Sequence, residues 1–313
     1  WLLGRDIVEM NVEQRWGENV IVQLSKDLKE EMPDVAGLSK TNIYYCRKFY
    51  QLYNPTNEIF HQLEGEFTDA ENFHQLGGIF EIPWRHHCLI MDKVKGDVAK
   101  AMFYIRQTIE NGWSRSMLLN FINTDMYERQ GKALTNFKNT LPEITSELAQ
   151  ELTKDPYNFA FTGITQPYNE RILKDALLNN ITHFLTELGT GFAYVGKEYR
   201  LQVGKTENFI DLLFYNRALS CLVPIELKIG KFKPEHIGQL NFYLEALDRD
   251  VKKPNENPSV GVILCATKDD AVVEYALSRS MSQTMVAEYT LKLPDKKLLE
   301  NKLREITLLA DEL

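Results

Sequence analysis

The 313-residue chain has no apolar run approaching the roughly eighteen to twenty residues that span a bilayer. Its opening, WLLGRDIVEM, lacks the charged start and small-residue cleavage site of a signal peptide. A cytoplasmic protein with no membrane partner is therefore expected. Cysteine is scarce: Cys46, Cys88, Cys221 and Cys265 form no C-x-x-C pair and have no histidine at zinc spacing. That excludes a zinc ribbon and leaves core thiols of a reducing compartment. Positive charge is also in deficit, with 36 Lys and Arg against 44 Asp and Glu, a net charge of -8. Phosphate binding comes from lysine and arginine displacing counterions, so a protein that coats nucleic acid through its overall charge is excluded. A local basic patch is not.

What the chain does contain is a globular composition, 44% hydrophobic and 11% aromatic, at a length that suits two ordinary domains. Pro and Gly punctuate the stretch from Lys154-Asp155-Pro156 to Gln166-Pro167, which sets the expected boundary: a mostly helical domain over 1–162 and an α/β domain over 163–313.

In the first half, Ile21, Leu24 and Leu28 recur at helical spacing between Glu18 and Met32, and Pro33 stops the run. Ser39 is a good N-cap for a second helix, KTNIYYCRKFYQLY. Helix, Gly-bearing turn, helix is the outline of a helix-turn-helix. In a DNA reader, Lys40 and Asn42 would lie near bases and Arg47 and Lys48 on phosphate. The same residues also suit the solvated face of a helical bundle. Residues 56–80 are polar and read as an irregular connection or a wing-bearing loop around Gly77-Gly78. Helices follow from about Asp97 to Asn111, after Ser114, and up to Leu141-Pro142. Arg115, Arg129, Lys132 and Lys138 form a modest basic stretch, from which Arg115 and Lys132 are candidate phosphate contacts; ordinary surface charge is the alternative. His86 and His87 are adjacent, cannot share a helical face and read as structural.

The second half starts with one long amphipathic helix, Asn169 to Leu188. Short strands at Ala193–Val195, Glu198–Val203, Phe209–Tyr215 and Ala218–Ile229 follow, the last two joined by a tight hairpin turn at Asn216-Arg217. The continuously apolar VGVILC, Val260 to Cys265, belongs at the centre of a covered sheet. A helix from about Asp270 to Arg279 and a strand near Val286–Tyr289 complete a sheet flanked by helices.

The chemistry concentrates here. Asp211, Glu226 and Lys228 spell D-x14-E-x-K, and two residues apart on one strand Glu226 and Lys228 leave from the same face. Charged groups among Ile225, Leu227 and Ile229 are costly unless paired, metal-bound or facing a wet cleft. Two carboxylates with a lysine are what phosphodiester hydrolysis needs: Asp211 and Glu226 to hold Mg2+ or Mn2+, Lys228 to orient water and offset developing charge. An ordinary cross-strand salt bridge would use the same triplet. Lys233-Pro234-Glu235 then opens a helix on which Gln239 and Tyr243 stand one turn apart.

A strand with E-x-K followed by a helix with Q-x-x-x-Y is similar to one branch of the PD-(D/E)XK nucleases. Nearly the whole chain resembles the bacterial YhcG family of that group. The resemblance runs through IPWRHH, NGWSRSML, ERQGKALTNF and KDPYNFAF in the first half, and FLTELGTGFAYVGKEYRL, FIDLLFYNRALSCLVPIELKIGKFKPEHIGQLNFYL and NPSVGVILCATKDD in the second. It implies a helical, winged-helix-like DNA-binding domain fused to a restriction-endonuclease-like domain, acting on DNA. Two positions depart from the family pattern. Arg85 stands where relatives often carry glycine, and Lys174 where they commonly carry an acid on the first helix of the nuclease domain. Glu170, one turn earlier, or Asp175 would then have to complete the metal site, and Glu170 shares the helical face of Lys174. Cutting both strands with one site per chain would suit a homodimer. A regulatory DNA-binding protein that keeps the nuclease fold without turnover is the rival reading.

Overall fold

The computed structural model describes residues 1–10, 19–54, 79–165 and 167–291. They divide into two compact units, Trp1–Tyr127 and Glu128–Leu313.

The described residues of the first unit contain helices only: α1 (Leu2–Glu9), α2 (Val20–Glu31), α3 (Lys40–Tyr53), α4 (Trp84–Lys93), α5 (Val98–Asn111) and α6 (Arg115–Asn123). Three starts are locally encoded, because Ser39, Asp97 and Ser114 accept the N–H groups of Asn42, Lys100 and Met117 at 3.2, 2.9 and 3.3 Å. Ile7, Ile21 and Ile43 join α1, α2 and α3 in one small core. Gly4 permits this packing, since a Cβ there would lie 2.1 Å from the Cys46 carbonyl oxygen. A larger core gathers Phe49 and Tyr53 of α3 with Ile90, Tyr104, Leu118 and Phe121. The connection from α2 to α3, Met32 to Ser39, is longer than the three or four residues of a helix-turn-helix turn. The wing-bearing loop expected at 56–80 lies almost wholly outside the described residues.

The second unit is a mixed sheet between helices. Its elements are β1 (Leu134–Thr135), α7 (Glu143–Glu151), β2 (Tyr157–Asn158), α8 (Glu170–Asn179), α9 (Ile181–Leu188), β3 (Phe192–Val203), β4 (Thr206–Asn216), β5 (Cys221–Lys231), α10 (Glu235–Ala246), β6 (Gly261–Thr267), α11 (Asp270–Leu277) and β7 (Thr284–Thr290). The strand order is β1-β7-β6-β5-β4-β3, with β3, β4 and β5 antiparallel and β5, β6 and β7 parallel. Leu173, Leu177 and Phe184 of α8 and α9 pack on Leu212, Phe214, Ile225, Leu227 and Leu264. Ile237, Leu240 and Leu244 of α10 pack with Ile263 and Cys265 from β6, so VGVILC is covered on both faces as its composition required. Gly261 lets α10 approach, since a Cβ there would meet Leu240 at 2.6 Å.

Four expectations need correction. The boundary at 162/163 moves to 127/128, because β1 and β2 both pair with β7 and so belong to the sheet of the second unit. The long helix at 169–188 is interrupted at Asn180, whose side-chain amide turns back to the Ala176 carbonyl at 3.0 Å, a local bond that competes with the helix. The two short strands at 193–203 are one strand with a register shift between Tyr194 and Gly196, a bulge that breaks the alternation. Finally, β4 and β5 join through Arg217 to Ser220 rather than a two-residue turn, with Asn216 Oδ1 accepting the Leu219 N–H at 2.9 Å and Ser220 at φ +51.

Candidate active site

The ladder between β4 and β5 runs from Asn216 opposite Cys221 to Leu212 opposite Ile225. One step further, the same register sets Asp211 across from Glu226, and there side chains take over the bonding. The Asp211 N–H donates to Glu226 Oε1 at 3.3 Å, and the Leu227 N–H donates to Asp211 Oδ2 at 3.1 Å. The two carboxylates thus hold the strands together where the ladder stops. Each carries a lysine on its other oxygen: Lys228 Nζ lies 3.2 Å from Glu226 Oε2, and Lys174 Nζ lies 2.8 Å from Asp211 Oδ1. Asp211, Glu226 and Lys228 therefore meet at one place, as D-x14-E-x-K required.

The electrostatics are tense. Glu226 is 3% exposed, and burial, then the neighbouring Asp211 charge, push its carboxyl well above the usual carboxylate range, against the pull of Lys228. Burial pulls the Lys228 ammonium down, but Glu226, Glu170 and Asp211 outweigh it and hold its pKa above the ordinary value. Lys174 has the same balance, with Asp211 and Glu198 overcoming burial. Lys228 and Lys174 are thus cations whose charge the neighbouring carboxylates reinforce.

From α10, Gln239 Nε2 donates to the Tyr243 hydroxyl at 2.8 Å. Burial pushes the Tyr243 hydroxyl up, and Glu226, Lys228 and Asp211 all act on it, so Q-x-x-x-Y borders the site through its tyrosine. Glu170 acts on Lys228 through its charge from the first turn of α8. Asp175, the other candidate, pairs with Lys197 at 2.9 Å.

Among the described residues no group of three or more His, Cys, Asp or Glu side chains is placed to hold a metal ion. Two carboxylates are nonetheless a fitting donor set for Mg2+ or Mn2+, since Mg2+ is commonly held by one or two carboxylates, with substrate phosphate and water filling the rest. The clash of Asp211 and Glu226 is the kind a divalent cation relieves. Lys174 reaches the same carboxylate from α8.

Two family descriptions cover the chain: the DUF1016 N-terminal domain matches residues 1–129 and the YhcG PDDEXK nuclease domain matches residues 150–304. The Escherichia coli (strain K12) protein named "Putative nuclease YhcG" is 32% identical over 324 residues, 96% of this chain and 84% of its own length. The chain belongs to the YhcG family of PD-(D/E)XK nucleases. Among solved structures, a repair endonuclease from Pyrococcus abyssi aligns at 14% identity over 42% of this chain and 50% of its own, with a TM-score of 0.27. A complex titled EndoMS-dsDNA2 aligns at 16% identity over 40% and 47%, with a TM-score of 0.26. The aligned region is at most half the length of either structure.

Two residues near these side chains carried no motif. Glu198 is one: the pairs Lys197 with Leu212 and Tyr199 with Ile210 set it across from Asp211 on β3, and its carboxylate lies 3.3 Å from Lys174 Nζ. Only the strand register reveals it. His236 is the other: its Nδ1 accepts the Lys233 N–H at 3.2 Å, and burial, then Lys228, lower its pKa. Its signal was position, one turn before Gln239.

The expected DNA contacts fare unevenly. On α3, Lys40 and Tyr44 are exposed, with the Arg47 guanidinium 4.6 Å and the Lys48 ammonium 4.9 Å from the Tyr44 ring centroid. Lys48 also meets Asp92 at 3.4 Å. Arg115 is exposed at the start of α6, and its charge reaches Tyr45. Asn42 is built in instead: its side chain donates to the Gly37 carbonyl and accepts from Trp84 Nε1, both at 2.6 Å. Lys132 is exposed but belongs to the second unit. Arg129, read as part of the same basic stretch, is buried against Glu187 at 2.6 Å.

Proposed function

We propose that the chain is a Mg2+-dependent nuclease that hydrolyses DNA phosphodiester bonds, with the amino-terminal unit positioning the DNA. The observation that carries this reading is the meeting of Asp211, Glu226 and Lys228 at the point where β4 and β5 part. A divalent ion held by Asp211 and Glu226 would supply Lewis-acid polarisation of the scissile phosphate and a more acidic water. Lys228, kept charged by its carboxylate neighbours, orients that water and offsets charge gathering on the phosphate oxygens. Water oxygen joins phosphorus, the bond to one sugar oxygen breaks, and the water proton ends on that oxygen. Tyr243, held by Gln239, walls the site on the α10 side, while Glu170 keeps Lys228 protonated from the α8 side. Lys40, Arg47, Lys48 and Arg115 would meet phosphates, and two copies of the chain would cut opposite strands.

The test is cleavage of plasmid and branched DNA with Mg2+, comparing wild type with Asp211→Ala and Lys228→Ala. Each variant should lose on the order of a hundredfold to a thousandfold in rate, the usual cost of removing a group that stabilises the transition state. Equal activity in all three discards the assignment.

A second reading has one observation in its favour, the Lys174–Asp211 pair at 2.8 Å. A lysine there could stand in for the cation, leaving a DNA-binding protein without turnover. In that case DNA binding would be indifferent to Mn2+, and Asp211→Ala would not change it.

A further inference from the structure

Lys174 is held by two carboxylates on neighbouring strands. Its Nζ lies 2.8 Å from Asp211 Oδ1 and 3.3 Å from Glu198 Oε1, and its side chain is 9% exposed, so it is placed between these two acids rather than in water. The two acids differ in freedom. Asp211 is fixed, its second oxygen taken by the Leu227 N–H, so Oδ1 is the atom open to a metal ion and also the atom the lysine covers. Glu198 is 55% exposed on a strand edge, at φ +47, a conformation uncommon for a residue with a side chain. A second ion pair secures it near α8: Asp175 and Lys197, the residues next to Lys174 and Glu198, meet at 2.9 Å. Helix α8 therefore presents lysine then aspartate to a strand presenting lysine then glutamate, and both opposite pairs form.

Building on the metal-dependent reading above, we infer that Lys174 has two stations: it rests on Asp211 in the ion-free site and moves to Glu198 when a divalent ion takes Asp211. Glu198 is thus a positioning residue that sets metal affinity without ligating the metal. An ammonium left on Asp211 would repel the arriving ion at contact distance in a partly buried site, where charges are weakly screened. Moving off the 2.8 Å pair while keeping the 3.3 Å pair lessens that repulsion and leaves the lysine compensated.

The test is a double-mutant cycle read by Mn2+ affinity, using calorimetry on the full chain without DNA. Glu198→Gln should weaken Mn2+ binding about tenfold, the size expected for an outer partner of a metal site. Lys174→Met should tighten binding, and Glu198→Gln should then have no effect in the Lys174→Met background. Lys174→Gln replaces Lys174→Met if the latter does not fold. An equal loss from Glu198→Gln in both backgrounds would make Glu198 a ligand and overturn the two-station arrangement; no loss in either would overturn it as well. Mn2+ binding that ignores Asp211→Ala, or no binding by wild type, would instead sink the metal-dependent reading and take the inference with it.

Discussion

The two units bury polar groups in opposite ways. In the first, the buried polar residues among those described are Ser25, His86, His87 and Thr108, none of them a carboxylate, lysine or arginine. His86 Nε2 meets the Trp113 carbonyl at 3.1 Å, and His87 Nε2 meets the Ile79 carbonyl at 2.6 Å. In the second, Arg129, Lys154, Lys174, Glu187 and Glu226 are all buried. Arg129 Nη1 lies 2.6 Å from Glu187 and 2.7 Å from the Pro156 carbonyl, Lys154 donates to the Glu187 carbonyl, and Lys268 meets Asp155 at 3.0 Å. The His87 imidazole, its pKa lowered by burial, is held by a carbonyl and fails by gaining a proton. A buried ion needs an opposite charge delivered by another element, and it fails when that element is changed. The nuclease unit carries that requirement through its candidate site as well as its core.

Breaking the contrast starts with Glu187→Ala. It strands Arg129 in the core, and removing one partner of a buried pair costs about 3–5 kcal/mol, so thermal or denaturant unfolding should show a large loss in the second unit. A loss below about 1 kcal/mol would mean that the pair is solvated and the contrast is false.

Acid should act on the first unit through His87. Burial lowers its pKa from 6.5 to about 4, with the Ile79 carbonyl opposing. Its folded value is the depressed one, so the unfolded chain takes up the proton first. The contribution is complete above pH 6.5 and drains away as pH falls toward 4, about 3 kcal/mol in all. Denaturant midpoints across that window should fall more steeply in wild type than in His87→Gln; parallel slopes would assign the effect elsewhere.

Asn42→Ala comes next, at about 1–3 kcal/mol, because it leaves the Trp84 indole N–H without its partner. A change in DNA affinity with unchanged stability would return Asn42 to the base-reading role. The smallest effect is expected for Lys48→Ala, whose partly exposed pair with Asp92 contributes at most about 1 kcal/mol. Its readout is the salt dependence of DNA binding, where the slope should shrink by about one phosphate contact. No change in slope would remove Lys48 from the interface.

Much of the architecture was legible where the signal is local. The N-caps at Ser39 and Ser114, the stop at Pro33, the apolar run of β6 and the one-turn spacing of Gln239 and Tyr243 each depend on residues within a few positions of each other. The assignment of residues 128–162 failed because β1 and β2 are two residues each, too short for any alternation, and gain their identity from β7 more than a hundred positions later. Asn42 shows a related effect: its polar place early in α3 suits a DNA contact, but Trp84, 42 positions away, claims its side chain.

By itself the chain's order of residues determined which groups could do chemistry, because E-x-K on a strand and Q-x-x-x-Y on a helix aim their side chains through the periodicity of the backbone alone. Tertiary structure decided which charges meet. Lys174 reads as a lost acid in the sequence and becomes a cation shared between Asp211 and Glu198 only once α8 lies over β3 and β4. Charges act through distance in space, and the register of three strands sets that distance here.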